Sequence, residues 1–151
     1  MSLDSSMQEQ ALKGVRILDF THVYQGPVCT QLLADFGAEV IKVERPRLGD
    51  WSRLWGPFVG DVSLPFAGLN RNKRSLALNL KDDRGLQIMH KLVTESDVLV
   101  HNFRPGAMEK LGLGYDDASR LNPRLVYATS SGWGDVGPYV DRRRGGHDMM
   151  A

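Results

Sequence analysis

Strand-like and helix-like periods alternate along almost the whole chain, and this alternation constrains the fold more than any other feature. Residues 15–20 (VRILDF), opened by Gly14, form a short apolar run that reads as a buried strand. Pro27 suits the first turn of a helix, where its missing N–H costs nothing. Cys29, Leu32, Leu33 and Phe36 then fall at i, i+3, i+4 and i+7, which predicts one apolar helical face, and Gly37 ends it. Residues 39–44 (EVIKVE) return as a β-branched strand, giving a βαβ unit whose crossover is expected to be right-handed. Further strands are expected at 75–80, 97–102 and 125–131. Asp82 caps a helix through about Ser96, with Leu86, Met89 and Val93 in one stripe. Pro105 opens a short helix ending near Gly112, and another covers 116–121. Between Arg45 and Asn72 the pattern dissolves into Pro, Gly, Asp and aromatic residues, including Trp51, Trp55, Phe58 and Phe66. So long an aperiodic stretch marks a functional or mobile segment. The order predicts an α/β fold of three layers, a mostly parallel sheet covered by helices on both faces.

Composition narrows the function. The 151 residues suit one domain, with residues 1–13 as a polar tail and 14–151 as the folded part. Nineteen Lys+Arg against eighteen Asp+Glu leave a formal charge of +1, so no global basic field recruits nucleic acid or an acidic membrane surface. No apolar run approaches the ~18 residues of a membrane span. The single cysteine, Cys29, excludes an intrachain disulfide framework and fits a reducing, cytoplasmic setting. The four histidines, at 22, 90, 101 and 147, show no zinc-site spacing, and no metal is expected. His90 reads as structural; His101, at a strand end, reads equally as structural or functional.

In open α/β sheets ligands sit at the carboxyl ends of the strands, near the point where strand order reverses. The residues just past those ends are polar, aromatic, Gly-rich and cationic. Arg45 and Arg104 offer planar forks to phosphate, with Lys73, Arg74 and Lys81 as further cations. The expected helix start at Pro105 and Gly106 adds free N–H groups and a positive dipole end. These features point to a phosphorylated, nucleotide-like ligand. No G-x-G-x-x-G follows Phe20 and no P-loop occurs anywhere, which disfavours NAD-type and P-loop readings.

Several blocks, in order, carry a resemblance. Residues 14–23 (GVRILDFTHV) with Gly26-Pro27, 33–44 (LADFGAEVIKVE), 70–75 (NRNKRS), 97–106 (DVLVHNFRPG), 121–127 (LNPRLVY) and 137–139 (GPY) resemble the start of the class III CoA-transferase family. That family contains formyl-CoA and carnitine-CoA transferases together with α-methylacyl-CoA racemases. The resemblance implies a Rossmann-like domain that binds CoA or an acyl-CoA, incomplete relative to the family's large domain. It places His22, Val23, Tyr24 and Gln25 at the thioester end of the CoA site, and Arg45 at the nucleotide part. Leu78, Asn79, Leu80 and Lys81, then Asn102, Phe103 and Arg104, and Lys110 fall at further CoA contacts. Tyr24-Gln25 departs from the formyl-CoA transferase pattern, where a Gln takes the first of these two places.

The resemblance also frames the chemistry. Family transferases use an Asp, downstream of a Gly-His-Asp region, as nucleophile toward the acyl group. That block is not among these residues, and Asp148 is not expected to replace it. In the racemases the His of Gly-His-Asp exchanges the proton beside the thioester carbonyl, a role that would fall to His147. Three readings stand: a CoA transferase, a racemase using His147 as base, and a non-catalytic CoA-binding or self-associating fragment. The expectation is no turnover by this chain alone, and association into a homo-oligomer.

Overall fold

The computed structural model describes residues 10–134 and 136–140. In chain order these form β1 (Arg16–Asp19), α1 (Gln25–Asp35), β2 (Glu39–Glu44), a 3-10 turn (Trp51–Leu54), β3 (Phe58–Val59), β4 (Val62–Ser63), α2 (Leu64–Asn70), β5 (Lys73–Ala77), α3 (Asp83–Thr94), β6 (Val98–His101), a 3-10 turn (Glu109–Leu111), α4 (Tyr115–Leu121) and β7 (Val126–Thr129). Five strands pair in parallel in the order β5-β2-β1-β6-β7, and β3 pairs with β4 as a small antiparallel hairpin. The five-strand order is that of a Rossmann-like sheet, its direction of growth reversing between β1 and β6. No helix among the described residues is long and apolar enough to cross a membrane.

Side chains alternate across a strand, so each strand feeds both faces. Leu18, Phe20, Val43 and Leu99 join Met89 and Val93 of α3 and Ala118 of α4 in one apolar core. On the other face Ile17, Val40 and Val100 pack with Ala34 and Ala38. Beyond that smaller cluster, toward the carboxyl ends of the strands, the same face buries Asp19, Lys42 and Glu44. Helices on both faces give the expected three layers.

The core face expected for α1 is corrected. Its buried residues are Gly26, Pro27, Thr30, Gln31 and Ala34, whereas Cys29 is exposed and Leu32 and Phe36 are about half exposed. The helix covers the ionic part of its face, so hydrogen bonding and close approach outweigh apolar periodicity. Thr30 donates its hydroxyl to Asp19 at 2.7 Å, and a Cβ at Gly26 would meet the Thr21 side chain at 2.4 Å.

The stretch between Arg45 and Asn72 is also more ordered than its composition suggests. Asp50 caps the Trp51–Leu54 turn by accepting the Ser52 N–H at 2.9 Å. Ser63 caps α2, with Pro65 in the first turn, a short signal that periodicity over seven residues does not reveal. The helix expected after Pro105 is instead a run of turns and the Glu109–Leu111 3-10 turn, closed by Gly112 at φ 67°. Its dipole is therefore not available to a ligand. Strand β5 begins two residues earlier than expected and releases residues 78–80 from the sheet. The Leu78 N–H still donates to Glu44 O at 2.9 Å before the chain turns toward α3.

That turn depends on Gly85, where a Cβ would sit 2.1 Å from the Asn79 carbonyl oxygen. Gly85→Ala is expected to lower stability by about 1–3 kcal/mol, as overpacking against backbone does. Gly68→Ala, with nothing within 4 Å of the new methyl in α2, is expected to be neutral or stabilising. Urea unfolding of the two variants checks both signs.

Candidate functional site

At the switch point the ends of β1 and β6 are tied by one side chain. Asn102 accepts the His22 N–H at 2.8 Å and donates its amide to His22 O at 2.8 Å. Above this tie opens a cavity of about 920 Å³, enclosed by four strand ends. His22, Val23, Tyr24 and Gln25 enter it from β1 and the start of α1. Glu44 and Arg45 enter from β2, the segment 78–81 from β5, and Asn102, Phe103 and Arg104 from β6. Every CoA contact that the resemblance assigns lines this cavity except Lys110, which is exposed on the 3-10 turn after β6. Sequence reasoning missed its apolar floor, Phe20, Val43 and Leu111, and missed Trp51. The floor residues read simply as core, and Trp51 is separated from the strand-end signal by the loop that returns it. A smaller cavity of about 480 Å³ lies on the other side of Arg104, lined in part by His101, Tyr115 and Tyr127.

Two buried ion pairs hold the rim. Lys42 donates to Thr21 O at 2.7 Å and lies 2.9 Å from Asp50 Oδ2. Asp50 Oδ1 accepts the Val23 N–H at 3.1 Å and the Ser52 hydroxyl at 2.8 Å. Val23 sits at φ 73°, a costly conformation for a β-branched residue, and the Asp50 bond helps hold it there. Lys73 lies 3.0 Å from Asp19 and donates to Pro27 O, Thr30 Oγ1 and Asn70 Oδ1. Lys73 is thus a buried tie between β5, β1 and α1, not a free cation, and Arg74 pairs with Glu39 away from the cavity. Arg45, Lys81 and Arg104 make no ion pair among the described residues and stay available to an anion. The N-terminus of α1 opens beside them at Gln25 and adds its own partial positive charge.

Burial pushes the His22 imidazole below its ordinary value against the attraction of Asp50, and Lys42 and Arg45 push the same way. The lowered value favours the uncharged ring, and His22 stacks on Phe103 with ring centroids 5.3 Å apart and has Nδ1 buried 3.9 Å from Asp50. His101 is buried, continues the aromatic ladder toward Tyr127, and accepts the Phe103 N–H at 3.3 Å. His90 lies on α3 with Nε2 3.4 Å from Gly112 O. Among the described residues no group of three or more His, Cys, Asp or Glu could hold a metal ion. His147 and Asp148 lie outside the described residues. Unpaired cations, aromatic faces and an apolar floor suit an elongated ligand, anionic at one end and uncharged along its arm.

Burial alone would raise the Asp50 carboxyl, but Lys42 and the hydrogen bonds from Ser52 and Val23 outweigh it and hold it at about 2, against an ordinary 3.8. A lowered folded-state value stabilises the fold above about pH 4, and that contribution is lost as pH falls toward 2. It amounts to about 2 kcal/mol for this fully buried side chain. Asp50→Asn is therefore expected to be less stable at neutral pH and to lose less stability between pH 4 and pH 2, measured by urea midpoints across that range.

Among known proteins, residues 12–151 match the family model described as CoA-transferase family III. The chain is 47% identical to an acyl-CoA transferase of Fusarium pseudograminearum, over 97% of this chain and 34% of that protein. It is 48% identical to the succinyl-CoA:glutarate CoA-transferase of Mus musculus, over 93% of this chain and 32% of that protein. The crystal structure of a CaiB/BaiF family protein from Brucella suis superposes with a TM-score of 0.87 at 37% identity, covering 95% of this chain and 38% of that one. The chain spans about a third of the length of the curated relatives it matches.

Proposed function

From the premise that this chain belongs to CoA-transferase family III, matched over residues 12–151, we propose that the switch-point cavity binds CoA or an acyl-CoA as part of an acyl-CoA:carboxylate CoA transfer. One observation carries the reading: four strand ends bring the CoA contacts that the resemblance assigns, all but Lys110, into a single cavity with three cations that make no ion pair among the described residues. Arg45, Lys81 and Arg104 meet the phosphates, and the Phe103 ring and apolar floor take the uncharged arm. The His22–Gln25 turn, held by Asn102 and Asp50, faces the thioester end.

The relatives' names support transfer over racemisation, since those cited are CoA transferases. An acyl-CoA donor and a carboxylate acceptor are the substrate classes that follow. The racemase reading rests on His147 alone.

Calorimetric titration with CoA tests the site. Arg45→Ala, Arg104→Ala is expected to weaken binding by about a hundredfold or more, because each removes a charge-assisted contact of about 1.5–3 kcal/mol. Equal heats for the double variant and the parent would remove the assignment.

A further inference from the structure

Trp51 belongs to none of the motifs that define the site, yet it lines the cavity beside Arg45 and is 53% exposed. The Arg45 guanidinium carbon lies over the indole, 4.9 Å from the ring centroid. Arg45 follows Glu44 directly and both line the cavity, so Glu44 is a carboxylate that could draw the guanidinium away. Here the carboxylate is already engaged. Glu44 receives Nε and Nη2 of Arg53, each at 2.7 Å, the Asp50 N–H at 2.9 Å and the Ser75 hydroxyl at 3.0 Å. Arg53 is in turn seated over the Phe66 ring at 3.6 Å. Arg45 therefore makes no ion pair among the described residues, and its guanidinium rests on the Trp51 ring.

A guanidinium resting on one aromatic face offers its other face to a second π-system while its edge N–H groups still reach phosphate. We propose that Trp51 is a positioning residue that holds Arg45 for stacking on the purine base of the ligand. Binding then depends on an aromatic base and not on phosphate charge alone. This rests on the CoA reading above and adds a residue to it. Asp50 places Trp51 by capping the 3-10 turn that Trp51 opens, so the Lys42–Asp50 pair sets the platform as well as the rim.

The experiment titrates the purified chain with CoA, with 4′-phosphopantetheine, which lacks the base together with the 3′-phosphoribose and one phosphate, and with ribose 3-phosphate 5-diphosphate added to 4′-phosphopantetheine to return the missing phosphates without a base, following calorimetric affinity and tryptophan fluorescence. The expected result is quenching by CoA and not by 4′-phosphopantetheine, with or without the added phosphates. Trp51→Leu should bind CoA about tenfold more weakly, with 4′-phosphopantetheine affinity unchanged. Trp51→Phe should keep CoA affinity within about threefold while losing the ligand-dependent quench, because the ring face remains but the indole does not. Should Trp51→Leu fail to fold, the Trp51→Phe quench decides. CoA affinity unchanged in Trp51→Leu, equal weakening of both ligands, or a quench that survives in Trp51→Phe overturns this inference and leaves the proposed function standing. No CoA binding by the parent chain overturns both.

Discussion

The buried pair between Lys42 and Asp50 holds the working end of this domain in shape. Lys42 projects from β2 toward the end of β1, where it takes the Thr21 carbonyl, and Asp50 reaches back from the loop beyond β2. Through its second oxygen Asp50 fixes the strained Val23 turn on one side and the Trp51–Leu54 turn on the other. Two walls of the cavity thus hang on one ion pair. Removing either partner would strand a charge in a dry site, at a cost of about 3–5 kcal/mol.

The same logic explains why the two faces of the sheet differ. The face under α3 and α4 is an ordinary apolar core. The opposite face is apolar only near the start of its strands and becomes ionic near their ends, where Asp19, Lys42 and Glu44 each find a partner. A helix covering such a layer must bring small and hydroxyl side chains close to it. This is why α1 buries Gly26 and Thr30 and turns Leu32 and Phe36 outward. The buried charges neutralise one another, leaving Arg45, Lys81 and Arg104 as the cations that face the cavity among the described residues.

Much of this was legible before any coordinates. The five strands of the parallel sheet followed from β-branched runs between turn residues, whereas the β3-β4 hairpin did not, and the strand-end rule reached Arg45, Lys81 and Arg104. What escaped was of two kinds. The apolar face of α1 was misread because periodicity counts hydrophobic residues and is blind to a polar layer that needs burial. Lys73 was read as a free cation because a buried lysine and a solvated one look alike until Asp19, 54 residues away in sequence, is placed beside it. The capped turn at Trp51 and helix α2 were too short for a period to register.

By itself, then, the sequence determined the α/β class, the five strands of the main sheet with α1, α3 and α4 between them, and the family, since these rest on local propensity and on contiguous blocks of residues. The strand order β5-β2-β1-β6-β7 was decided only in three dimensions. So was the partition of charges into those locked in pairs and those left for a ligand, and so was the meeting of Trp51 with Arg45. Each depends on distances between groups far apart along the chain, and pairing between strands and buried charges is a property of the packed whole, not of any local window.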